Sequence, residues 1–333
     1  MNSVVIPTFR ASKSILDVIN RIGPEIGLIV VVDDCCPEFS GRLVQNECKD
    51  PRVVVIVHET NQGVGGAFLT GMKAAIERDA RIIVKVDSDG QMDPALIPGL
   101  ILPIEHAQAD YVKGNRFFFL SDASSMPAVR LFGNLSLSFM AKISSGYWNI
   151  MDPTNGFFAI HADVARLLIP SRIAKRFFFE TDLLFHVGLL RAKVTEFPMQ
   201  AVYGEEVSNL RIARVMPEFM RGHLKNTVRR IAYGYFFRDF SVASIELFFG
   251  TILFWFGLIF GIYHWALAYA LDEVTPTGTV MIAAVALLIG FQLILAFLSY
   301  DIGAVPREAL HPLLSRNART QGPDVGHATA NKL

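Results

Sequence analysis

The stretch that decides the fold is Ile82-Ile83-Val84-Lys85-Val86-Asp87-Ser88-Asp89-Gly90-Gln91, a largely β-branched run that ends in two carboxylates. The run predicts a strand with both faces buried, as in a parallel sheet covered by helices. Asp87 and Asp89 follow one residue apart at the end of that strand. In open α/β sheets ligands bind beyond the carboxyl ends of the strands, so these acids mark a candidate site.

The same pattern of strand and helix continues on both sides of this stretch. Further short apolar runs predict strands at Val4–Ile6, Leu28–Val32, Val53–Val57, Tyr111–Val112, Phe157–Ile160 and Val194–Met199. Helical patterns separate them, among them Gly65–Arg78 and a helix that Asp93-Pro94 begins with an N-cap and a proline in the first turn. This alternation predicts a doubly wound, mostly parallel α/β sheet, most regular over residues 1 to about 115.

The composition indicates that part of the chain lies outside water. Of the 333 residues, 52% are apolar and only 19% are charged, whereas soluble domains carry about 25% charged residues. The formal net charge is zero, so nothing points to nucleic acid as a partner. No basic segment followed by a long apolar stretch opens the chain, and we expect no signal peptide.

The three cysteines are Cys35, Cys36 and Cys48. Their number is odd and two are adjacent, which makes a poor disulfide framework and fits a reducing cytoplasm. We expect Cys35 and Cys36 to be small buried residues without metal or redox work.

Two long apolar runs near the C-terminus predict a membrane anchor. Residues 244–270 and 279–299 each reach the length of about 20 apolar residues that a spanning helix needs. The link Asp272–Thr279 contains no Lys or Arg, while arginines flank both runs, so both flanks are predicted to be cytoplasmic. Buried core helices are the alternative. Gly257 and Gly261 form a G-x-x-x-G motif that permits close helix contact and is compatible with a homo-oligomer.

A basic amphipathic helix precedes the first span. Its apolar residues recur every three or four positions, at Met216, Met220, Leu224, Val228, Ile231 and Tyr235, and basic residues fall largely between them. This pattern predicts a helix on an anionic membrane surface, the alternative being a solvated helix packed on the α/β domain. The predicted segments are an α/β domain (1–212), an interface helix region (213–240), two spans (241–300) and a partly disordered tail (301–333).

Asp87 and Asp89 are the strongest candidates for chemistry. Because they lie one residue apart at a strand end, we expect their carboxylates to converge on one point. Mg²⁺ and Mn²⁺ prefer oxygen ligands and are often shared with substrate phosphates. A metal here could neutralise a departing diphosphate. The alternative is a surface turn rich in Asp and Gly.

Two further strand ends carry candidate binding residues. Asp33-Asp34 ends the second strand, where a carboxylate could accept hydrogen bonds from a nucleobase or ribose, or could simply form a turn. Asn61–Ala67 leads from the third strand into a helix; its glycines allow close approach of a ligand, and the helix N-terminus favours anions. A dinucleotide-binding dehydrogenase is disfavoured, because this turn follows the third strand and not the first.

The ordered set of motifs resembles family 2 glycosyltransferases of the GT-A fold. The resemblance is carried by Val5-Ile6-Pro7-Thr8, Val32-Asp33-Asp34, Asn61–Gly65, Asp87–Pro94 and Gly114-Asn115-Arg116. Within that family the chain is similar to dolichol-phosphate mannose synthases and bacterial polyprenyl-phosphate glycosyltransferases with two C-terminal spans. The resemblance implies an inverting transfer of one sugar from a UDP- or GDP-sugar to a polyprenyl phosphate, such as undecaprenyl or dolichyl phosphate.

The resemblance also implies which residues hold the donor and its metal. The metal ligands, for Mg²⁺ or Mn²⁺, would be Asp87, Asp89 and Gln91. The nucleotide-sugar pocket would be lined by Pro7, Thr8, Arg10, Asp34, Gly63 and Asp87.

For the acceptor phosphate the resemblance implies Arg116, Arg130 and Asn134. Arginine forks suit phosphate oxygens, although either arginine could instead form a surface ion pair. Asn134 departs from the serine that relatives often carry. The implied catalytic acids are Asp89, Asp152, Glu180 and Asp182, and Tyr203–Ser208 resembles the segment that closes over the donor.

These features together predict an integral protein of the bacterial inner (cytoplasmic) membrane with a cytoplasmic catalytic domain. Three alternatives stay open. A processive polysaccharide synthase of the same fold usually has more spans and a Q-x-x-R-W motif. A transferase could act on a protein or a soluble sugar. A membrane scaffold could bind nucleotide without turnover.

Overall fold

A computed structural model of the chain describes residues 1–118, 128–200 and 212–320, without the side chains of 128–132, 134, 212–215 and 316–320. The chain divides into two compact units. The first comprises Met1–His223 together with Pro306–Leu333, and the second comprises Leu224–Val305. The second unit is therefore inserted into the sequence of the first.

The first unit is built on one seven-stranded sheet. Its strands are β1 (Asn2–Thr8), β2 (Ile26–Asp33), β3 (Val53–Val57), β4 (Ile82–Lys85), β5 (Tyr111–Asn115), β6 (Phe158–His161) and β7 (Val194–Pro198), in the order β3-β2-β1-β4-β6-β5-β7. Only β6 runs antiparallel to its neighbours β4 and β5; the other pairs are parallel. The predicted doubly wound, mostly parallel sheet is confirmed.

Seven α-helices lie between β1 and β7 along the described residues of the chain. They are α1 (Ile15–Asn20), α2 (Ser40–Glu47), α3 (Val64–Ile76), α4 (Ile97–Glu105), α5 (Ala128–Ser145), α6 (Ala162–Leu168) and α7 (Phe179–Leu189). The Asp93 carboxylate accepts a hydrogen bond from Ala95 N ahead of α4, which confirms the predicted N-cap. Valine and isoleucine of β1, β2 and β4 are fully buried against α1 and α4, and this core fixes the strand ends that carry the polar residues.

The segment after the second apolar helix returns to the sheet. The buried carboxylate of Asp110 accepts hydrogen bonds from the backbone N–H groups of Lys193, Leu310 and His311, at 2.7 to 2.8 Å, and pairs with the His311 ring at 2.8 Å. Helix α11 (His311–Thr320) follows. Within the tail that the sequence predicted to be partly disordered (301–333), His311–Thr320 is thus helical, because the Asp110 contacts hold the start of this helix.

Three long helices dominate the rest of the chain. They are α8 (Ile212–Ile231), continued by a wider helical turn at Ala232–Arg238, then α9 (Val242–Ala270) and α10 (Thr277–Gly303). Helices α9 and α10 are long and apolar enough to cross a membrane, and in each only 11% of the most apolar stretch is buried. A core helix of a soluble protein would be mostly buried. The two apolar helices that the sequence predicted are therefore present.

Glycines bring α9 and α10 close together. A Cβ on Gly257 would lie 2.7 Å from Leu287 N, and one on Gly290 would lie 2.4 Å from Phe254 N. The G-x-x-x-G glycine Gly257 is therefore used within this hairpin. At one end of the hairpin Asp301 accepts two hydrogen bonds from the Arg230 guanidinium (2.6 and 3.0 Å) and one from the Tyr235 hydroxyl (2.5 Å).

Candidate active site

The candidate site begins at the end of β4, where a buried lysine lies between two acids. Residues two apart in an extended segment point to the same side, so Lys85 and Asp87 face each other across the strand end. Lys85 Nζ donates to Asp87 Oδ1 at 2.5 Å and lies 3.6 Å from Glu180 Oε1. The Lys85 side chain is completely buried, whereas Asp87 is 29% exposed. Asp87 therefore has one oxygen held from within and a surface open to a ligand.

A hydrogen bond within the turn after β4 stabilises that turn. Asp89 Oδ1 accepts a hydrogen bond from the backbone N–H of Gln91 at 3.0 Å. Gly90, between them, has a left-handed backbone (φ 79°) that favours glycine. The three predicted metal ligands thus lie in one turn.

The donor set at this turn suits a hard divalent ion that is shared with a substrate. Among the described residues no group of three or more His, Cys, Asp or Glu side chains could hold a metal. Two carboxylates, Asp87 and Asp89, fit the way Mg²⁺ is commonly bound, by one or two carboxylates together with substrate phosphates. The residues present therefore fit Mg²⁺ or Mn²⁺ completed by a diphosphate.

A second charged group lies at the end of β5. Arg116 donates to Asp152 through Nε (2.8 Å) and Nη2 (3.0 Å), and its backbone N–H donates to the same carboxylate at 3.2 Å. Asp152 is fully buried and the Arg116 side chain is 35% exposed. The pair therefore fixes the plane of a guanidinium that reaches the surface.

Glu196 of β7 holds the loop that carries Asp152. Its Oε1 accepts hydrogen bonds from the backbone N–H groups of Met151 (2.6 Å) and Asp152 (2.9 Å), and its Oε2 accepts one from the Asn115 side chain (2.7 Å). Burial raises the pKa of the Glu196 carboxyl, and these hydrogen bonds partly offset that rise. One half-buried acid thus orders both Asp152 and the residue before Arg116.

Lys113 is the second fully buried lysine, and it donates to the backbone carbonyl of Asn155. Burial lowers its pKa to about 8, while Glu180 and Asp152 act in the opposite direction. Burial also raises the pKa of Glu180, and Lys85 counteracts that rise. Glu180 is therefore a largely buried ion-pair partner of Lys85.

Asp182, the other predicted acid of α7, has a local role. Its Oδ2 accepts a hydrogen bond from the backbone N–H of Ala174 at 2.7 Å, and its side chain is only 10% exposed. The structure thus shows each of the three acids in contact with a protein group: Asp152 with Arg116, Glu180 with Lys85 and Asp182 with the Ala174 N–H.

Asp34 is also occupied by protein donors. It accepts hydrogen bonds from the backbone N–H groups of Gln62 (2.8 Å) and Gly63 (2.7 Å) and pairs with the His58 ring at 2.8 Å. Asp33 is used in the same way, by the N–H groups of Cys36 and Gly41. The structure therefore gives Asp34 the task of shaping the turn after β3.

The glycines of that turn approach protein backbone. The carbonyl of Lys175 accepts hydrogen bonds from Gly65 N (2.9 Å) and Gly66 N (3.2 Å), at the N-terminus of α3. A Cβ on Gly63 would lie 2.5 Å from the same carbonyl, and Gly63 has a left-handed φ of 87°. The glycines predicted that a ligand would approach the backbone closely here. In the structure the Lys175 carbonyl makes this approach, and it accepts hydrogen bonds from the helix N-terminus, where an anion was expected.

The remaining predicted residues are placed as follows. Pro7 and Thr8 are buried at the end of β1, and the Thr8 carbonyl accepts a hydrogen bond from Asp34 N at 3.0 Å. Arg10 is exposed. The side chains of Arg130 and Asn134, and the whole Tyr203–Ser208 segment, lie outside the described residues.

One expectation about the cysteines is wrong. Cys36 is buried as predicted, but Cys35 is exposed. Cys35 has a left-handed backbone (φ 55°) in the turn after β2.

Three residues of the site were missed by sequence reasoning: Lys85, Lys113 and Glu196. Each lies within or at the end of an apolar strand, where a long charged side chain is rarely fully buried without a partner. For Lys85, the spacing of two residues to Asp87 was a usable signal, because such residues share a side of the strand.

A mostly parallel sheet with paired carboxylates at the end of a central strand defines a GT-A-type domain. Residues 3–168 match the sequence model of the protein family "Glycosyl transferase family 2". Over 216 residues the chain is 30% identical to UDP-N-acetylglucosamine--dolichyl-phosphate N-acetylglucosaminyltransferase of Methanococcus voltae, covering 61% of this chain and 86% of that relative. The chain belongs to glycosyl transferase family 2.

The chain is also similar to a further relative and, in fold, to a solved structure. Undecaprenyl-phosphate mannosyltransferase of Micrococcus luteus is 28% identical over 205 residues, which cover 60% of this chain and 83% of that protein. Glucosyl-3-phosphoglycerate synthase from Mycobacterium tuberculosis, solved with Mn²⁺, UDP and its product, has a TM-score of 0.53 at 16% identity, covering 68% of this chain and 80% of that one. The structural likeness shows the shared fold.

Proposed function

We propose that this protein is a membrane-anchored glycosyltransferase that moves one sugar from a nucleotide-sugar, UDP- or GDP-linked, to a polyprenyl phosphate. The single observation that carries the proposal is that Asp87 and Asp89, after β4, and the Arg116–Asp152 pair, after β5, lie at the same edge of one GT-A-type sheet, with β6 between the two strands. Relatives named as dolichyl-phosphate and undecaprenyl-phosphate sugar transferases support this choice of acceptor.

On this proposal the turn after β4 receives the diphosphate of the donor. A divalent ion bound by Asp87 and Asp89, with Gln91 in the same turn, would neutralise the charge that develops on the departing diphosphate. Support for Mg²⁺ or Mn²⁺ comes from the two-carboxylate donor set and from the related fold, which has been crystallised with UDP and either ion. Pro7, Thr8, Arg10, Asp34 and Gly63 shape the nucleotide side of the pocket, Asp34 through the turn that it holds.

Arg116 binds the acceptor phosphate in this proposal, joined by Arg130 and Asn134 of α5. A planar guanidinium suits phosphate oxygens, and Asp152 fixes its orientation from the buried side. The phosphate oxygen attacks the anomeric carbon directly and the nucleoside diphosphate leaves, with inversion. A phosphate is already largely anionic at neutral pH, since its second pKa is about 6. The acceptor therefore needs no strong general base.

The second unit and α8 bring the site to its lipid substrate in this proposal. Helices α9 and α10 are the membrane anchor, with the enzyme domain (1–212) and the tail (301–333) on the cytoplasmic side of a bacterial inner membrane. On α8, Met220, Leu224 and Val228 are 57 to 67% exposed in one apolar stripe. Such a stripe, bordered by basic residues, suits the surface of an anionic membrane.

A screen of labelled nucleotide-sugars tests the proposal. Membranes that contain the protein are incubated with undecaprenyl phosphate and each UDP- or GDP-sugar, with and without Mn²⁺, and label in the lipid phase is counted. We expect one donor to label the lipid, and Asp89→Ala to abolish labelling while the protein stays folded in membranes. Full transfer by Asp89→Ala would remove the metal assignment. Transfer to a soluble sugar or a protein instead of the lipid would overturn the acceptor.

A further inference from the structure

Lys85 is a resident cation inside the proposed donor site. Its ammonium is fully buried, 2.5 Å from Asp87 Oδ1 and 3.6 Å from Glu180 Oε1. Gly156 leaves the room for this contact, since a Cβ there would lie 2.7 Å from Lys85 Nζ and 2.8 Å from Asp87 Oδ2. The partner of Asp87 is therefore a fixed positive charge.

A fixed cation on Asp87 opposes a second cation on the same carboxylate. Two like charges a few ångströms apart repel strongly where the dielectric is lower than in water, and a buried pair is little screened by salt. Lys85 therefore weakens the attraction of Asp87 for a divalent ion.

The charges around the turn after β4 lead to the same expectation. The acids nearest Lys85 are Asp87, Asp89 and Glu180, and the buried bases are Lys85 and Lys113. With these five groups ionised, one negative charge remains, which is little for a divalent ion. A nucleoside diphosphate brings further negative charge and oxygen ligands to the same turn.

We propose that Lys85 makes binding of the divalent ion depend on the nucleoside diphosphate, so that the ion enters with the nucleotide and is held only weakly without it. The proposal rests on the proposed function, which places the diphosphate at Asp87 and Asp89. Lys85 is a positioning residue in this scheme: it holds Asp87 and sets the charge that the ion meets.

Mn²⁺ binding to the purified full-length protein in detergent tests this, with electron paramagnetic resonance to count free Mn²⁺. The wild type is titrated alone, with UDP and with GDP. We expect weak binding alone and binding at least about tenfold tighter with the nucleotide that fits, which corresponds to about 1.4 kcal/mol. In Lys85→Met we expect Mn²⁺ binding without nucleotide to tighten by about tenfold. The difference between the Mn²⁺ affinities with and without nucleotide should therefore become smaller than in the wild type.

Two further variants separate charge from folding. Glu180→Gln keeps the Lys85–Asp87 pair, and its nucleotide-free Mn²⁺ binding should stay weak. The double variant Lys85→Met/Glu180→Gln removes one charge of each sign, so Glu180 is not left without its lysine. It should bind Mn²⁺ more tightly than the wild type, because the lysine that contacts Asp87 directly is gone, but less tightly than Lys85→Met, which keeps the Glu180 charge. Thermal melting of each variant reports the fold.

The outcomes distinguish this inference from the proposed function. Wild-type protein that binds Mn²⁺ equally well with and without nucleotide overturns the inference, and so does a folded Lys85→Met or double variant with unchanged nucleotide-free binding. Wild-type protein that binds no Mn²⁺ even with UDP or GDP overturns the metal site of the proposed function.

Discussion

Asp152 holds Arg116 by two hydrogen bonds from the guanidinium, at 2.8 and 3.0 Å, and is itself fully buried. Behind it, Glu196 accepts hydrogen bonds from the backbone N–H groups of Met151 and Asp152. The guanidinium is thus oriented through two acids in series. If Arg116 grips the acceptor phosphate, both acids should affect acceptor binding more than donor binding.

Asp152→Asn tests this relationship. The amide cannot accept both guanidinium bonds, and hydrogen bonds to charged groups contribute about 1.5–3 kcal/mol. We expect the KM for polyprenyl phosphate to rise about tenfold or more, with the KM for the nucleotide-sugar nearly unchanged, measured by initial rates over both substrates.

Asp50→Asn is the matched control for Asp152→Asn. Asp50 makes a similar pair with Arg52, at 2.7 to 3.1 Å, ahead of β3 and therefore away from the carboxyl ends of the strands. It should leave both KM values unchanged. Equal KM values in Asp152→Asn and wild type would remove Arg116 from acceptor binding.

Gly156→Ala should damage the donor site without straining the backbone. Gly156 is not among the residues with positive φ, so alanine fits its backbone, but the new methyl group would lie within 2.8 Å of both Lys85 Nζ and Asp87 Oδ2. Displacing a reacting group by about 1 Å can cost about 10²-fold in rate. We expect kcat/KM to fall on the order of tenfold to a hundredfold in the transfer assay. The matched control is Gly278→Ala, where a Cβ meets nothing within 4 Å, and it should keep full activity. A Gly156→Ala variant with wild-type kcat/KM would show that transfer does not depend on the Lys85–Asp87 contact.

Lys113 should make stability depend on pH in the alkaline range. Burial lowers its pKa from 10.5 to about 8. Below about pH 8 both folded and unfolded states carry the proton, and the cost of burying the charge is fully present. Between about pH 8 and 10.5 the unfolded state binds more protons, so stability from this group rises with pH. We expect the Tm of Lys113→Met, relative to wild type, to be higher at pH 7 than at pH 9.5. A Tm difference that is constant or grows with pH would contradict the lowered pKa.

Asp110→Asn should destabilise the first unit. The carboxylate is fully buried and accepts from three backbone N–H groups as well as contacting the His311 ring. Leaving such donors poorly paired costs about 3 kcal/mol, so the Tm in detergent should fall by several degrees. Truncation after Val305 should lower the Tm similarly, whereas Asp17→Asn, at a 72% exposed carboxylate, should not. An unchanged Tm for both Asp110→Asn and the truncation would show that the tail contributes nothing to the fold.

The sheet and the turn that carries Asp87 and Asp89 were predictable because local patterns determine them. A β-branched run followed by acids gives a strand and a strand end, and the side-chain period of two fixes which residues share a side. The antiparallel insertion of β6 between β4 and β5 was not predictable, because strand pairing depends on residues far apart in sequence.

The contacts between polar groups inside the site were the main feature that the sequence did not predict. Gly65 and Gly66 indicated a close approach, but sequence could not say that Lys175, more than a hundred positions away, supplies the approaching carbonyl. Likewise Glu196 gave no local signal of its bonds to the loop at Asp152. Such contacts follow from the assembled sheet and not from any short window of sequence.

The four contacts at Asp110 also set an order of events during synthesis. Two of its partners, Leu310 and His311, follow both apolar helices in the chain. A ribosome must therefore have produced the entire hairpin before this carboxylate can be satisfied. Completion of the first unit waits on translation of the hairpin inserted in its sequence, so a nascent chain that stalls within the hairpin would carry an unfinished, less stable unit.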